Sequence, residues 1–472
     1  MSNFSKLMQQ AASGVGGGGD YQNDASDSVT SLWILNSVGG EFSNGQNNTA
    51  QTLGVKSDHT VIIGHNDDNQ VELVEVATDG TVGTKLKLDV EQRSYAGLAI
   101  DPFDEDYIYL GGEIGTGGTQ YVMKLRSDLS TTTPEWQKLY NIADMGSIDS
   151  FNPQFTENYI YQIFTANNPR VTRLVRYDRD GGNVSAWEIT YDGVSHSGNT
   201  YAYAISEDAS TLYFLSEFKN DDICRIIAIN LNNNTKRWAK KVSNGDLIGF
   251  RAAVDNSDNG LVAAIYDNLT DDTHVIKFSE SDGTIEWQNA FGDGTTNRHL
   301  LDGIKIKKDG SIGALAGYKN SSPSENSCLL TFDPSDGTFS SNMYFFDRPS
   351  GNTSTRFFGG NNTPYILGDR IYHSFYTYDT NFPNTFSSYG LKLDTTISTN
   401  DAVTSVGTFP ASKSCDIEIV SIPTVSATIT FTADTASLSM TSVSTTNMLD
   451  SNSTVTVSTD TTETYYTENW RS

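Results

Sequence analysis

The stretch SDGTIEWQNAFGDG, residues 281–294, decides how the rest of the chain is read. Asp282-Gly283 is a tight-turn dipeptide, because Gly accepts positive φ and Asp tolerates it better than most residues. Ile285 and Trp287 then alternate with Glu286 and Gln288, giving one apolar and one polar face, the pattern of a half-buried strand. Gly292-Asp293-Gly294 closes the strand with a second turn.

Working outward from Trp287, comparable surroundings recur. Trp33 sits in SLWILNSVGG, Trp136 in PEWQKLYNIAD, Trp187 in SAWEITYDG and Trp238 in KRWAKKVSNGD. From Trp136 the tryptophans step by 51, 51 and 49 residues, and the 103 residues between Trp33 and Trp136 leave room for one missing member. TDGTVGTKLKL fills that gap, with Thr84 in the Trp place, and SDGTFSSNMYF follows Trp287, with Ser341 in that place. A period of about 50 residues with internal turn signals marks a repeat architecture.

Each copy carries further strands at the same period. An apolar strand recurs as HTVIIG, DYIYLGG, NYIYQIF, TLYFLS, GLVAAIY, SIGALAGY and RIYHSFY, and a third strand follows each, as in YVMKLRS and HVIKFSE. An inner strand precedes the pair, as in LGVKSD, GLAIDP, AYAISED and GIKIKKD. The pattern predicts an all-β, seven-bladed propeller of four-stranded blades over 31–400. Ser31–Val38 is expected to complete the last blade, so that both ends of the repeat region close the ring and remove exposed sheet edges, the alternative being that VTSVGTF, Val403–Phe409, takes that place.

FSESDGTIEWQNAFG, with Gly283 four residues before Trp287, resembles the docking repeat of PQQ-like propellers, and INLNNNTKRWAKK, with Asn234 in the Gly place, is a looser copy. The longer pattern also resembles the propeller repeats of many bacterial and viral surface proteins. The resemblance implies architecture rather than activity, since such propellers host unrelated functions. PQQ dehydrogenases carry eight blades, export signals and often adjacent cysteines over the cofactor. This chain departs on all three, so no cofactor is expected.

Outside the repeats lie two segments. Residues 1–30 contain MSNFSKLMQQAA, able to form a short helix with Phe4, Leu7, Met8 and Ala11 on one face, then a glycine-rich linker. An isolated helix of this length is marginal in water, so an anchor docking on a partner is the expectation. Residues 401–472 are rich in Thr, Ser and Val, with ATITFTA and STVTVST reading as strands. They predict a strand-forming interaction segment that pairs with another copy or a neighbouring protein. The opening FSKLMQQAA with its glycine run resembles the N-termini of virion proteins of marine tailed bacteriophages, and the Thr/Ser-rich end resembles phage fibre and tail proteins.

Charge narrows the partners. With 31 Lys and Arg against 58 Asp and Glu, the formal net charge of −27 opposes binding to nucleic acid, which needs cations on phosphates. No apolar run approaches the length of a membrane span. Cys224, Cys328 and Cys415 are odd in number and far apart, which implies no disulfide framework, and Cys224 and Cys328 read as core residues. The absence of both a signal and disulfides points to folding in a reducing cytoplasm, as for a virion protein assembled inside its host.

The chemical signals are sparse. No HxxxH, HExxH, Cys/His zinc spacing or GxSxG elbow occurs, so neither catalytic nor metal residues are assigned. Asp255 to Gly260 starts like a calcium loop, but Tyr266 stands where the twelfth-position Glu belongs, so a structural turn is expected. The long polar connections out of the Trp strands and the middle hairpin loops share one face in propellers, where a rigid scaffold favours binding. On that face Tyr95, His196, Arg298, His299 and Arg348 are the candidate binding residues. The expected function is a non-enzymatic virion structural and adhesion protein, contacting other virion proteins or itself through its termini and host glycan through this face. The alternative is a carbohydrate-active propeller enzyme with a carboxylate pair at the channel mouth.

Overall fold

The computed structural model describes residues 33–38, 52–394 apart from stretches between strands, and 416–469 with similar gaps. The expected N-terminal helix and glycine linker, Arg348 and Cys415 lie outside the described residues. Among those described there is no helix: the chain is an all-β propeller of four- and five-stranded blades.

The blade count differs from expectation. The strands divide into six sheets rather than seven, because the last two groups of strands merge into one sheet of 11. The merger runs through a parallel pairing of Ser324–Phe332 with Thr355–Phe358, at Glu325 and Arg356. The other five sheets each begin with four antiparallel strands consecutive in sequence. The first, for example, runs Thr52–Val55, Val61–Asp67, Gln70–Val76 and Val82–Asp89. The second covers 95–141, the third 154–191, the fourth 196–242 and the fifth 247–291.

The middle strands of each sheet are apolar on both faces because both faces meet another blade. In the fifth sheet Gly260–Asp267 and Asp272–Phe278 are buried throughout. The core is therefore a series of apolar layers between neighbouring blades. One joins the fourth and fifth sheets through Tyr213, Ile226, Trp238, Ile265 and Phe278. Another joins the first sheet to the 11-stranded one through Val55, Val61, Leu367 and Tyr372. There His59, at φ 65°, shares a hydrogen bond of 2.6 Å between its Nδ1 and the Tyr372 hydroxyl. Cys224 and Cys328 are buried in these layers.

Trp33–Val38 lies between two strands, pairing with Phe386–Asp394 at Ile34 and Leu391 and with Thr464–Asn469 along its whole length. That second partner belongs to a pattern absent from any single repeat. From Asp416 onward the Thr/Ser-rich segment runs around the outside of the propeller. It lays one antiparallel strand on each outer edge it meets, in the reverse of chain order. Asp416–Ser421 pairs with Phe339–Asp347, Thr424–Val425 with Ile285–Phe291, and Phe431–Ala433 with Thr235–Val242. Leu438–Val443 pairs with Val184–Tyr191, Thr456–Thr459 with Val82–Asp89, and Thr464–Asn469 with Trp33–Val38. The second sheet alone keeps four strands, and there Val455 donates its N–H to Gln137 Oε1 at 3.1 Å. The partners of these strands in the structure are thus the propeller's own edges.

The strap is pinned at Asp434. Its N–H donates to Ala239 O at 2.9 Å, and its Oδ2 lies 3.2 Å from Arg225 Nε, both side chains being nearly buried. Ile429, Val455 and Val457 sink into the inter-blade layers, while most described strap side chains stay exposed or half-exposed.

Candidate functional site at the propeller axis

The first five sheets each begin with their innermost strand, the 11-stranded sheet contributes two, and these strands follow one another around the axis. They are Thr52–Val55, Tyr95–Ile100, Gln154–Phe155, His196–Ile205, Leu247–Asp255, Arg298–Ile306 and Tyr365–Leu367. All emerge from the connections that lead in from the preceding outer strand. Tyr95, His196 and Arg298 are the first residues of their strands and His299 follows Arg298, so the backbone brings these four to one rim of the ring. Arg348 and most of the connections on that rim lie outside the described residues.

Charge along the innermost strands is uneven. The strands of the first three sheets carry no Lys, Arg, Asp or Glu, whereas Leu247–Asp255 and Arg298–Ile306 carry Arg251, Arg298 and Lys305. Their acidic residues are Asp255 and Asp302, and Asp255 is engaged away from the axis by Lys277. Lys305 is solvent-exposed on its strand, yet the protein around the axis lowers its pKa by desolvating the ammonium. Lys305 lies at the other end of its strand from Arg298 and His299 and was not singled out from the sequence. In the repeat alignment Gly54, Ala99, Gln154, Ala204 and Ala253 precede the last apolar residue of other innermost strands, and Lys305 stands in that place in the sixth.

The opposite rim is made of tight turns, and its charges serve the fold. The tryptophan signature acts between blades. Trp136 Nε1 donates to Arg179 O at 3.2 Å, Trp238 Nε1 to Glu280 O at 2.8 Å and Trp287 Nε1 to Pro334 O at 2.9 Å, each reaching the turn of the following sheet. Gly181, Gly283 and Gly337 lie under those indoles at φ of 77°, 67° and 73°. A Cβ on Gly283 would come within 2.6 Å of Trp238. Gly283 therefore serves the tryptophan of the preceding blade, not Trp287 of its own stretch. Asn234 occupies the equivalent turn place at φ 58°, and half-buried Trp187 packs in the layer that includes Leu231 while Arg176 lies 5.3 Å over its ring. The side chain of Trp33 lies outside the described residues.

Carboxylates on this rim are consumed as turn formers and clamps. Oδ1 of Asp79, Asp282, Asp309, Asp333 and Asp336 each accepts the N–H two residues on, at 2.8–2.9 Å. These bonds hold Asp79 and Asp282 below the ordinary carboxylate pKa, and the Ser335 hydroxyl together with its N–H does the same for Asp333. Asp101 receives Arg179 Nε at 3.1 Å across the second and third sheets. Glu280 takes Arg237 Nη1 and Thr211 Oγ1, each at 2.9 Å, across the fourth and fifth. In the calcium-like turn the cation is a lysine: Lys277 Nζ lies 2.8 Å from Asp255 and 2.6 Å from Asp258. Burial pulls that ammonium's pKa down, but the two aspartates outweigh it and raise it. Among the described residues no three His, Cys, Asp or Glu side chains converge to hold a metal.

No protein-family model matches the sequence, and no curated protein matches it. Solved structures similar in shape include an oligogalacturonate lyase in complex with manganese, at TM-score 0.44 and 12% identity over 74% of this chain and 89% of that one. Another is Hsv2 of Kluyvelomyces marxianus, at 0.38 and 11% over 74% and 98%. A third is a cobalt-substituted Synechocystis ACO, at 0.32 and 11% over 52% and 61%. Likenesses of this degree carry no argument about what this chain does.

Proposed function

We propose that this chain is a non-enzymatic binding and assembly protein of a virion, a seven-bladed propeller held to a tail or fibre and presenting its polar loop rim to a host surface or neighbouring subunit. The observation that carries the reading is the strap. It covers outer sheet edges with the chain's own strands, which leaves the two rims and the axis as the places where a partner can be met. Tyr95, His196, Arg298, His299 and Arg348 are then the contacts toward host glycan.

Seven blades are supported by the seven innermost strands, and by the single parallel bridge that joins the halves of the 11-stranded sheet. Divided there, each half is a blade with a strap strand at its edge. Closure by 31–38 makes the last blade depend on three separated parts of the chain. Residues 1–30 serve as the anchor.

Immunogold labelling of released particles, with antibody raised against residues 31–400, tests the reading. Gold at tails or fibres is the expected result. Label confined to host cells, with clean particles, would overturn it.

A further inference from the structure

The strand directions give the propeller two unlike ends. Tyr95, His196 and Arg298 open their innermost strands at the loop rim, and the strands of a blade alternate in direction, so each outer strand starts at the tight-turn rim. In the last blade the outer place is held by Trp33–Val38, antiparallel to Phe386–Asp394. Trp33 therefore stands at the tight-turn rim and Val38 at the loop rim. The chain enters the propeller at the end opposite Tyr95, His196, Arg298 and His299.

Thr464–Asn469 pairs with this entering strand along its whole length, Trp33 opposite Asn469 and Val38 opposite Thr464. Phe386–Asp394 is in register with it only at Ile34 and Leu391. The fuller of its two ladders is thus the one made with the strap. The strap comes from Thr456–Thr459 on the first sheet and starts this strand at Thr464, the loop-rim end. A pull on the chain ahead of Trp33, directed away from the loop rim, acts on one strand at its tight-turn end while its partner is held at the other end. Antiparallel ladder bonds lie across the strands, so such a load is shared by all six residue pairs at once. A pull directed sideways across the tight-turn rim instead opens the ladder pair by pair, starting at Trp33 and Asn469.

We propose that the ladder between Trp33–Val38 and Thr464–Asn469 is a mechanical clamp, loaded in shear, through which a partner gripping residues 1–30 on the tight-turn side holds the propeller with its loop rim outward. Its use rests on the mounting role above, but the clamp is a property of the isolated chain, so its failure and the failure of that role are read separately.

Single-molecule force spectroscopy of the full chain, held at Met1 and at one introduced cysteine, tests the proposal. Cys415→Ser in every sample leaves the introduced thiol as the handle, since Cys224 and Cys328 are buried. Leu269→Cys places the handle on an exposed hairpin tip of the loop rim, and Thr132→Cys places it on an exposed tight turn. The first rupture should need about twofold more force, or greater, with the loop-rim handle than with the tight-turn handle. Deleting residues 460–472 should bring the loop-rim value down to the tight-turn one. Equal forces in the two pulling directions, measured on chains with the strap intact, would overturn the proposal whatever the truncated chain does. A truncation that leaves the loop-rim force unchanged would overturn it as well.

Discussion

Gly283 shows how one residue joins two blades. Its φ of 67° suits a residue without a side chain, and Trp238 of the preceding blade fills the space where a Cβ would go. Gly283→Ala combines a left-handed backbone with a clash, and about 1–3 kcal/mol of stability should be lost. Chemical denaturation read by tryptophan fluorescence measures this, and an unchanged midpoint would mean the indole does not press on the turn. Asp101 is a harsher test, since its side chain is inaccessible and Arg179 and the Tyr109 hydroxyl both reach it. Asp101→Asn leaves the guanidinium of Arg179 without its carboxylate, for an expected loss of about 3–5 kcal/mol. The same denaturation assay measures it, and the double variant Asp101→Asn with Arg179→Met should recover part of the loss.

Among the elements, the hairpins explain the composition. Much of the acidic excess sits in turns where Asp accepts a backbone N–H two residues on, so the charge reflects turn chemistry as much as any partner. Because Asp79, Asp282 and Asp333 have folded pKa values below the unfolded one, their stabilisation is complete above about pH 4 and is lost as pH falls through the folded values. His274 acts higher on the scale. It is buried on Asp272–Phe278 with neither ring nitrogen hydrogen-bonded, and burial depresses its pKa despite Asp267 and Asp272. The unfolded chain then binds a proton that the folded chain resists. Stability should fall as pH drops below about 6.5 and continue falling to the folded pKa. Denaturation midpoints from pH 8 to 5 should show that slope, and His274→Phe should flatten it.

For the whole molecule, the strap is the feature with the largest expected consequence. Deleting 416–472 uncovers edge strands in the first, third, fourth, fifth and 11-stranded sheets, and unpaired edges template further pairing. The truncated chain should associate with rising concentration in light scattering and melt at lower temperature than the full chain. A monomeric truncation with unchanged melting would show that the edges protect themselves. Asp434→Ala should weaken the strap locally, by leaving Arg225 nearly buried without that carboxylate.

The sequence by itself determined the propeller, because a 50-residue period of alternating strands and Asp-Gly turns has few other ways to bury its apolar faces. It also marked the blade tryptophans and the turn role of Asp255 to Gly260, since both depend on local pattern. The partners of those residues were decided only by the tertiary structure. Gly283 and Trp238 meet because blades pack side by side, and nothing within one repeat states which neighbour a side chain will face. The strap was legible as strands in a Thr/Ser-rich tail, but strand pattern carries no address: hydrogen-bonding edges are generic, and only closure of the ring brings 416–469 past each outer strand in turn.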